Sequence, residues 1–139
     1  MNFTTEQNKK IVQRFNKEII EQGNLDSFKE LVAENCINHS APTGSSKGPD
    51  GMIYFLFHIL RKGFSDLKVE IIDQVGESDK VVTRKIIHAT HSGEFMGIPA
   101  SNKKVDIHIM DIIRLKEGRY VEHWGMSNLE SISKEITPL

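Results

Sequence analysis

An α+β domain, with helices and strands segregated along the chain, is predicted by three features of the sequence. Apolar residues recur at helical spacing as far as about residue 62, and from Leu67 onward the period changes to two. No strand–helix–strand alternation interrupts the second half, so its strands form a meander, which pairs antiparallel. The chain of 139 residues is one domain in length, and 38% of its side chains are hydrophobic, enough for a core without staples. The expected architecture is one domain, 1–139, in which a mainly antiparallel sheet wraps a long N-terminal helix. A long, strongly curved sheet also leaves a hollow on its helix-bearing face.

Thr4 and Gln7 have the spacing of a capping box, and Ile11, Val12, Phe15 and Ile19 follow on one helical face. Gly23-Asn24 stops that helix. Leu25, Phe28, Leu31 and Val32 form one face of a short second helix, and residues 40–49 (SAPTGSSKGP) are loop by composition. Pro49 stands at a first helical position. Met52, Ile53, Phe55, Leu56, Ile59 and Leu60 then give a third helix a broad apolar side, and Gly63 ends it. Leu67, Val69, Ile71 and Val75 alternate along a first strand, closed by a turn at 76–79. The β-branched segment 80–91 is a second strand, 93–104 (GEFMGIPASNKK) a loop, and 105–115 a third strand. Lys116-Glu117-Gly118 is a short hairpin connection into a fourth strand, 119–126, and a closing helix includes Leu129, Ile132 and Ile136.

Eighteen basic against nineteen acidic residues, a net charge of -1, exclude the one-sided basic surface of a nucleic-acid binder. The longest apolar stretch, near 52–60, is broken by His58 and too short for a bilayer, so no membrane partner is expected. Residues 1–7 lack the charged start and apolar run of a signal peptide. The lone Cys36 has no internal disulfide partner and sits between Val32 and Ile37, which reads as a buried structural thiol in a reducing compartment. The expected location is the cytoplasm. The histidines do not make a metal site. His88 and His91 are three apart, as are His108 and Asp111, and on strands that spacing sends the pair to opposite faces, whereas ligands converge. Phosphate-cradling glycine loops, dinucleotide fingerprints and nucleophile elbows are absent.

The candidate site residues are those that break the strand pattern. Odd positions of the third strand read Val105, Ile107, Ile109, Asp111, Ile113 and Leu115, and only Asp111 is polar. A carboxylate in apolar surroundings must be paired, hydrogen-bonded or protonated, which makes it a site candidate, or else a structural group fixing a neighbouring strand. In the fourth strand, Val121, His123 and Gly125 share one face, and Tyr120, Glu122, Trp124 and Met126 the other. The tight hairpin brings Asp111 within cross-strand or diagonal reach of His123. Such a pair transfers protons, unless His123 is a satisfied core histidine. In the second strand Lys85 directs the odd positions to water, which turns Arg84 and His88 inward and makes Arg84 the counter-charge of Asp111. Asn38 and His39 follow the second helix, where the chain crosses a pocket mouth or is simply solvated. Phe15, Met96 and Trp124 are candidate walls, with Trp124 alternating away from His123 and packing outside as the alternative.

Together with this layout, INHSAP (37–42), GEFMGIPASNKKV (93–105) and EGRYVEHW (117–124) resemble the SnoaL-like polyketide cyclase and ester cyclase group of the nuclear-transport-factor-like superfamily. The resemblance implies a cone-shaped, cystatin-like α+β barrel with an internal cavity and a homodimeric assembly. It also implies intramolecular aldol closure without metal or cofactor, driven by an aspartate two residues beyond the position of His123. This chain has Gly125 there, and Asp111 where the group has an important histidine in the preceding strand. Two readings follow. One is a cofactor-independent cyclase or isomerase of a small apolar carbonyl compound, with Asp111 and His123 as acid and base and Arg84 or His39 polarising the carbonyl. The other is a non-catalytic module of the same shape, for binding a small molecule or for dimerisation.

Overall fold

In the computed structural model, which describes residues 3–138, the long first helix, α1 (5–21), begins with the expected capping box. The Gln7 amide donates to Thr4 Oγ1 at 3.1 Å and the Thr4 amide to Gln7 Oε1 at 2.8 Å, so two of the end amides that lack helical partners are satisfied. Thr5–Arg14 is α-helical and Phe15–Glu21 widens to π-helical bonding. Gly23, at φ +68°, makes the left-handed turn that stops it. Asn24 then caps α2 (Leu25–Leu31), its side-chain oxygen accepting from the Ser27 amide at 3.0 Å. There follow β1 (Val32–Asn38), α3 (49–63, opened by Pro49), β2 (Phe64–Glu77), β3 (Lys80–His91), β4 (Lys104–Lys116), β5 (Arg119–Ser127) and α4 (Leu129–Ile136).

The α+β architecture is the predicted one. Five strands form one curved sheet in the order β1-β5-β4-β3-β2, with β1 parallel to β5 and the other pairs antiparallel. α1 packs on the concave face against β2 and β3. Its Val12, Phe15 and Ile19 are buried with Val81, Ile87, Ile107 and Ile113 of the strands. Each such side chain contributes about 1.5–3 kcal/mol on burial. The Phe15 ring stacks on Tyr120 at 4.5 Å and 13°, tying α1 to β5. Between β4 and β5, Glu117 and Gly118 both have positive φ (52° and 76°), as a two-residue hairpin turn matched to the sheet twist requires. Among the described residues, no helix is long and apolar enough to cross a membrane.

Two sequence expectations are corrected here. Residues 32–38 form a strand, whereas Val32 was expected at the end of α2 and no strand beyond it. The partner of β1 is β5, far along the chain, and no local period encodes that pairing. Val75 was expected on the face of Leu67, Val69 and Ile71. A register shift between Ile71 and Asp73 inserts one residue and turns Val75 outward, where it is 65% exposed.

Candidate functional site

Asp111 lies near the middle of β4, facing inward, with Thr83 of β3 and Gly125 of β5 as its cross-strand partners. It is 7% exposed. Its Oδ2 is approached from two sides, by Lys85 Nζ at 3.5 Å and by His123 Nε2 at 3.6 Å, while Oδ1 is buried without a hydrogen-bond partner. Lys85 is itself 4% exposed and donates to Asn16 Oδ1 of α1 at 2.6 Å. Asn16 is oriented by its own amide nitrogen, which donates to the Val12 carbonyl at 2.8 Å. On the far side, His123 Nδ1 meets Asn38 Oδ1 of β1 at 2.8 Å, and the same oxygen accepts from the Ser40 amide at 3.0 Å. One polar chain therefore runs from α1 through β3, β4 and β5 to β1.

The donors fix part of the protonation pattern. Because Asn38 Oδ1 is an acceptor, His123 Nδ1 must donate to it. In a neutral ring Nε2 would then turn a lone pair toward the carboxylate, so the contact is attractive only when a proton sits on Nε2 or on Asp111. Burial pushes the Asp111 carboxyl up, but the Lys85 ammonium and the bond from His123 outweigh it and hold the group below its ordinary value. Burial also raises the Tyr120 phenol well above its ordinary value, with the nearby Asp111 charge adding to the effect. The Cys36 thiol is pushed up to about 11 by burial, as a structural cysteine should be.

Gly125 explains how the imidazole reaches Asp111. A Cβ built at Gly125 would lie 2.9 Å from His123 Cε1, 3.1 Å from Nε2 and 3.5 Å from Asp111 Cβ. The ring occupies the room that any side chain at 125 would need. An extra residue at Val121 contributes as well. The register shifts there, so that Tyr120 pairs with Leu115 and His123 with Ile113, and both point inward. Strict alternation had placed Tyr120 on the opposite face from His123.

The expected site divides. Asn38, Asp111 and His123 come together, with Phe15 in the core on Tyr120. Arg84 does not join them. It lies on the outer face and donates to Asp73 at 3.0 Å. His88 is also outside, between Asp106 at 2.7 Å and Glu70 at 2.8 Å. Both corrections have one cause. The Lys85 ammonium finds Asn16 and Asp111 inside, so the odd side of β3, with Val81, Thr83, Ile87, Ala89 and His91, is the buried one. His39 stacks on Trp124 at 4.8 Å and pairs with Glu122 at 2.8 Å. Trp124 pairs with the outward Ile112, so both rings are on the outer face and not at a pocket mouth or wall. Met96 is exposed in the loop between β3 and β4.

A hollow of about 360 Å³ on the outer face is lined by Ile72, Arg84, Ile86, Met110 and Met126 among others. Another, of about 610 Å³, lies by the hairpin ends between Phe3, Asn8, Arg114 and Lys116. Asp111 and His123 line neither. The carboxylate is packed between Lys85 and the His123 ring.

The sequence model of the SnoaL-like polyketide cyclase family matches residues 10–136. The chain belongs to that family. No curated protein matches it. Among solved structures it is similar to TsrD from Streptomyces laurentii, at 20% identity and a TM-score of 0.85, over 99% of this chain and 100% of the other. It is similar to IdmH, a candidate polyketide cyclase from Streptomyces antibioticus, at 26% identity and a TM-score of 0.80, over 93% and 97% of the two chains. A SnoaL-like polyketide cyclase from Agrobacterium tumefaciens C58 aligns at 16% identity with a TM-score of 0.74, over 96% and 98%. The matches to TsrD and the Agrobacterium protein attest the fold.

Within this SnoaL-like frame, the sequence reading missed Lys85, Asn16 and Tyr120. A signal for Asn16 was present. Asn8, Val12, Asn16 and Ile20 are spaced by four, which puts two asparagines on the apolar stripe of α1. For Lys85 the signal was the rest of the odd set, Val81, Thr83, Ile87 and Ala89, which is apolar or small apart from His91 at its end. The bulge that turns Tyr120 inward left no local trace.

Proposed function

We propose that this SnoaL-like chain is a cofactor-independent cyclase or isomerase of a small, largely apolar carbonyl compound, with Asp111 as base and His123 as its proton partner. The observation that carries the reading is the position of the carboxylate. Asp111 stands directly across the strand pair from Gly125, where the family resemblance expects an aspartate, and one of its oxygens has no partner. The acid/base carboxylate is displaced by one strand and not lost. The candidate cyclase IdmH supports the reaction class. The half-buried Phe55, Leu56 and Ile59 of α3 support an apolar ligand.

In the proposed step the Asp111 carboxylate takes a proton from the carbon beside a carbonyl, and the C–H electron pair moves onto the carbonyl oxygen as an enolate. Returning the proton to another carbon completes an isomerisation. Attack of the enolate carbon on a second carbonyl, followed by protonation of the new alkoxide, completes an aldol cyclisation. No electron acceptor is needed. On this reading ligand entry swings the His123 ring, 22% exposed at its side chain, away from Gly125 and uncovers Asp111.

A second reading, a binding module without chemistry, is favoured by one specific observation: both ring nitrogens of His123 already have partners. The probe 2-tetralone, an apolar ketone with acidic α-hydrogens, separates the two. Exchange of those hydrogens in deuterated buffer, followed by proton NMR and lost in Asp111→Asn, supports the enzyme. Saturable binding without exchange supports the module. The outer face, where Met110, Ile112 and Met126 are exposed, is proposed to pair two copies of the chain. Sedimentation of the parent as a dimer and of Met126→Asp as a monomer is the expected result, and a monomeric parent would refute it.

A further inference from the structure

We propose that Lys85 is a positioning residue of the Asp111 site: its ammonium is the fixed counter-charge that makes a carboxylate usable at this buried position, and Asn16 holds it there. The inference deepens the acid/base reading above, on which its chemical consequence rests, although its physical part is measurable without any ligand.

The geometry points to this role in three ways. Lys85 is among the least exposed residues of β3 at 4%, and lysines are almost never so buried unless paired. Its short bond is not to the carboxylate but to the neutral Asn16 oxygen at 2.6 Å, while Asp111 Oδ2 stands at 3.5 Å. The ammonium is therefore anchored from α1 and presented to Asp111, leaving Oδ1 free of it. A salt bridge closed only for stability would instead bring the two charges together at about 2.7–2.9 Å. The anchor is directional too, because the Asn16 amide nitrogen is committed to the Val12 carbonyl at 2.8 Å.

The titratable groups that face Asp111 are Lys85 from β3 and His123 and Tyr120 from β5. From α1 comes the neutral Asn16, and from β1 the Cys36 thiol beside Tyr120. Of these, the Lys85 amine is the buried group that sets positive charge against the carboxylate. Without it, burial governs the carboxyl, which protonates closer to neutrality, so the ionised fraction that can accept a proton from carbon falls at and below neutral pH.

The test is the titration of the Asp111 side-chain carboxyl, followed by carbon-13 NMR with assignment by Asp111→Asn, in the parent and in Lys85→Met. The expected result is an upward move of about one pH unit or more in Lys85→Met, and a return toward the parent value in Lys85→Arg. An unmoved titration overturns the proposal. Lys85→Met also leaves an unpaired buried carboxylate and is at risk of not folding, so the double variant Lys85→Met/Asp111→Asn completes a cycle. If the loss of the ammonium costs stability mainly when Asp111 is present, the coupling is real. If it costs as much in the Asp111→Asn background, Lys85 serves packing alone and the proposal fails. Where 2-tetralone exchange is measurable, its pH profile in Lys85→Met moves up with the carboxyl. Absence of exchange in the parent would remove the acid/base reading and leave the titration result standing, so the two failures are distinguishable.

Discussion

Replacing Gly125 by alanine tests how the imidazole and the carboxylate were brought together. The added methyl would sit 2.9 Å from His123 Cε1. Ordinary carbon contacts lie near 3.5–4.0 Å, so the ring must retreat by roughly 0.6–1.1 Å. The backbone has no reason to resist, because Gly125 is a strand residue outside the set with positive φ. Retreat breaks either the 3.6 Å approach to Asp111 or the 2.8 Å bond to Asn38. A lost bond of the latter kind costs about 0.5–1.5 kcal/mol. Removing a glycine from a strand returns about 0.5–1 kcal/mol. The net change in stability by urea unfolding should therefore stay within about 1 kcal/mol. The local chemistry should change much more. The His123 Cε1 proton resonance should move, the Asp111 carboxyl should titrate higher for want of the imidazole, and any proton exchange from a bound ketone should fall. A loss above about 3 kcal/mol would mean that the backbone yields in place of the ring. An unmoved His123 resonance would mean that the contact with Gly125 is not what positions it. Either result refutes the reasoning.

Three further outcomes are expected. Phe15→Ala removes the ring stacked on Tyr120 and should cost about 3–5 kcal/mol in urea unfolding, through lost contact and a cavity. Glu18 is held down to about 2 by its hydrogen bond with Arg14 and a second from Ser27, so its contribution is present above its ordinary value of 4.5 and is lost as pH falls toward 2. Glu18→Gln should flatten the acid limb of the stability profile over that window by lowering stability at neutral pH, with little change at the acid end. His88, raised by its bonds to Glu70 and Asp106, should titrate by NMR above its ordinary 6.5, and Glu70→Gln should bring it back down.

Much of the fold was legible in the sequence because its signals are local. The capping box at Thr4 and Gln7, the Gly23 stop, Pro49 at the head of α3 and the Glu117-Gly118 turn each follow from a few adjacent residues. What failed was non-local. β1 exists by virtue of a parallel partner at the other end of the chain. The bulges near Ile72 and Val121 shift a strand by one residue, and a shift of one reverses every side chain beyond it. Asp111 was identifiable because it alone interrupts an apolar face, and its reach to His123 followed from the hairpin. Its counter-charge was not. A lysine in a strand reads as a solvent marker, and that single residue outweighed five others on its face. The amide of Asn16 that reverses the inference sits on a different element, so nothing near Lys85 announces it.

The measurement that bears most directly on the role of Asp111 is the rate of α-hydrogen exchange of 2-tetralone in deuterated buffer at neutral pH, for the parent and for Asp111→Asn. Circular dichroism serves as the check that both are folded. If Asp111 is the base, the parent accelerates exchange and the asparagine variant falls by about 100-fold or more, toward the uncatalysed rate. Equal rates in two folded proteins would contradict it.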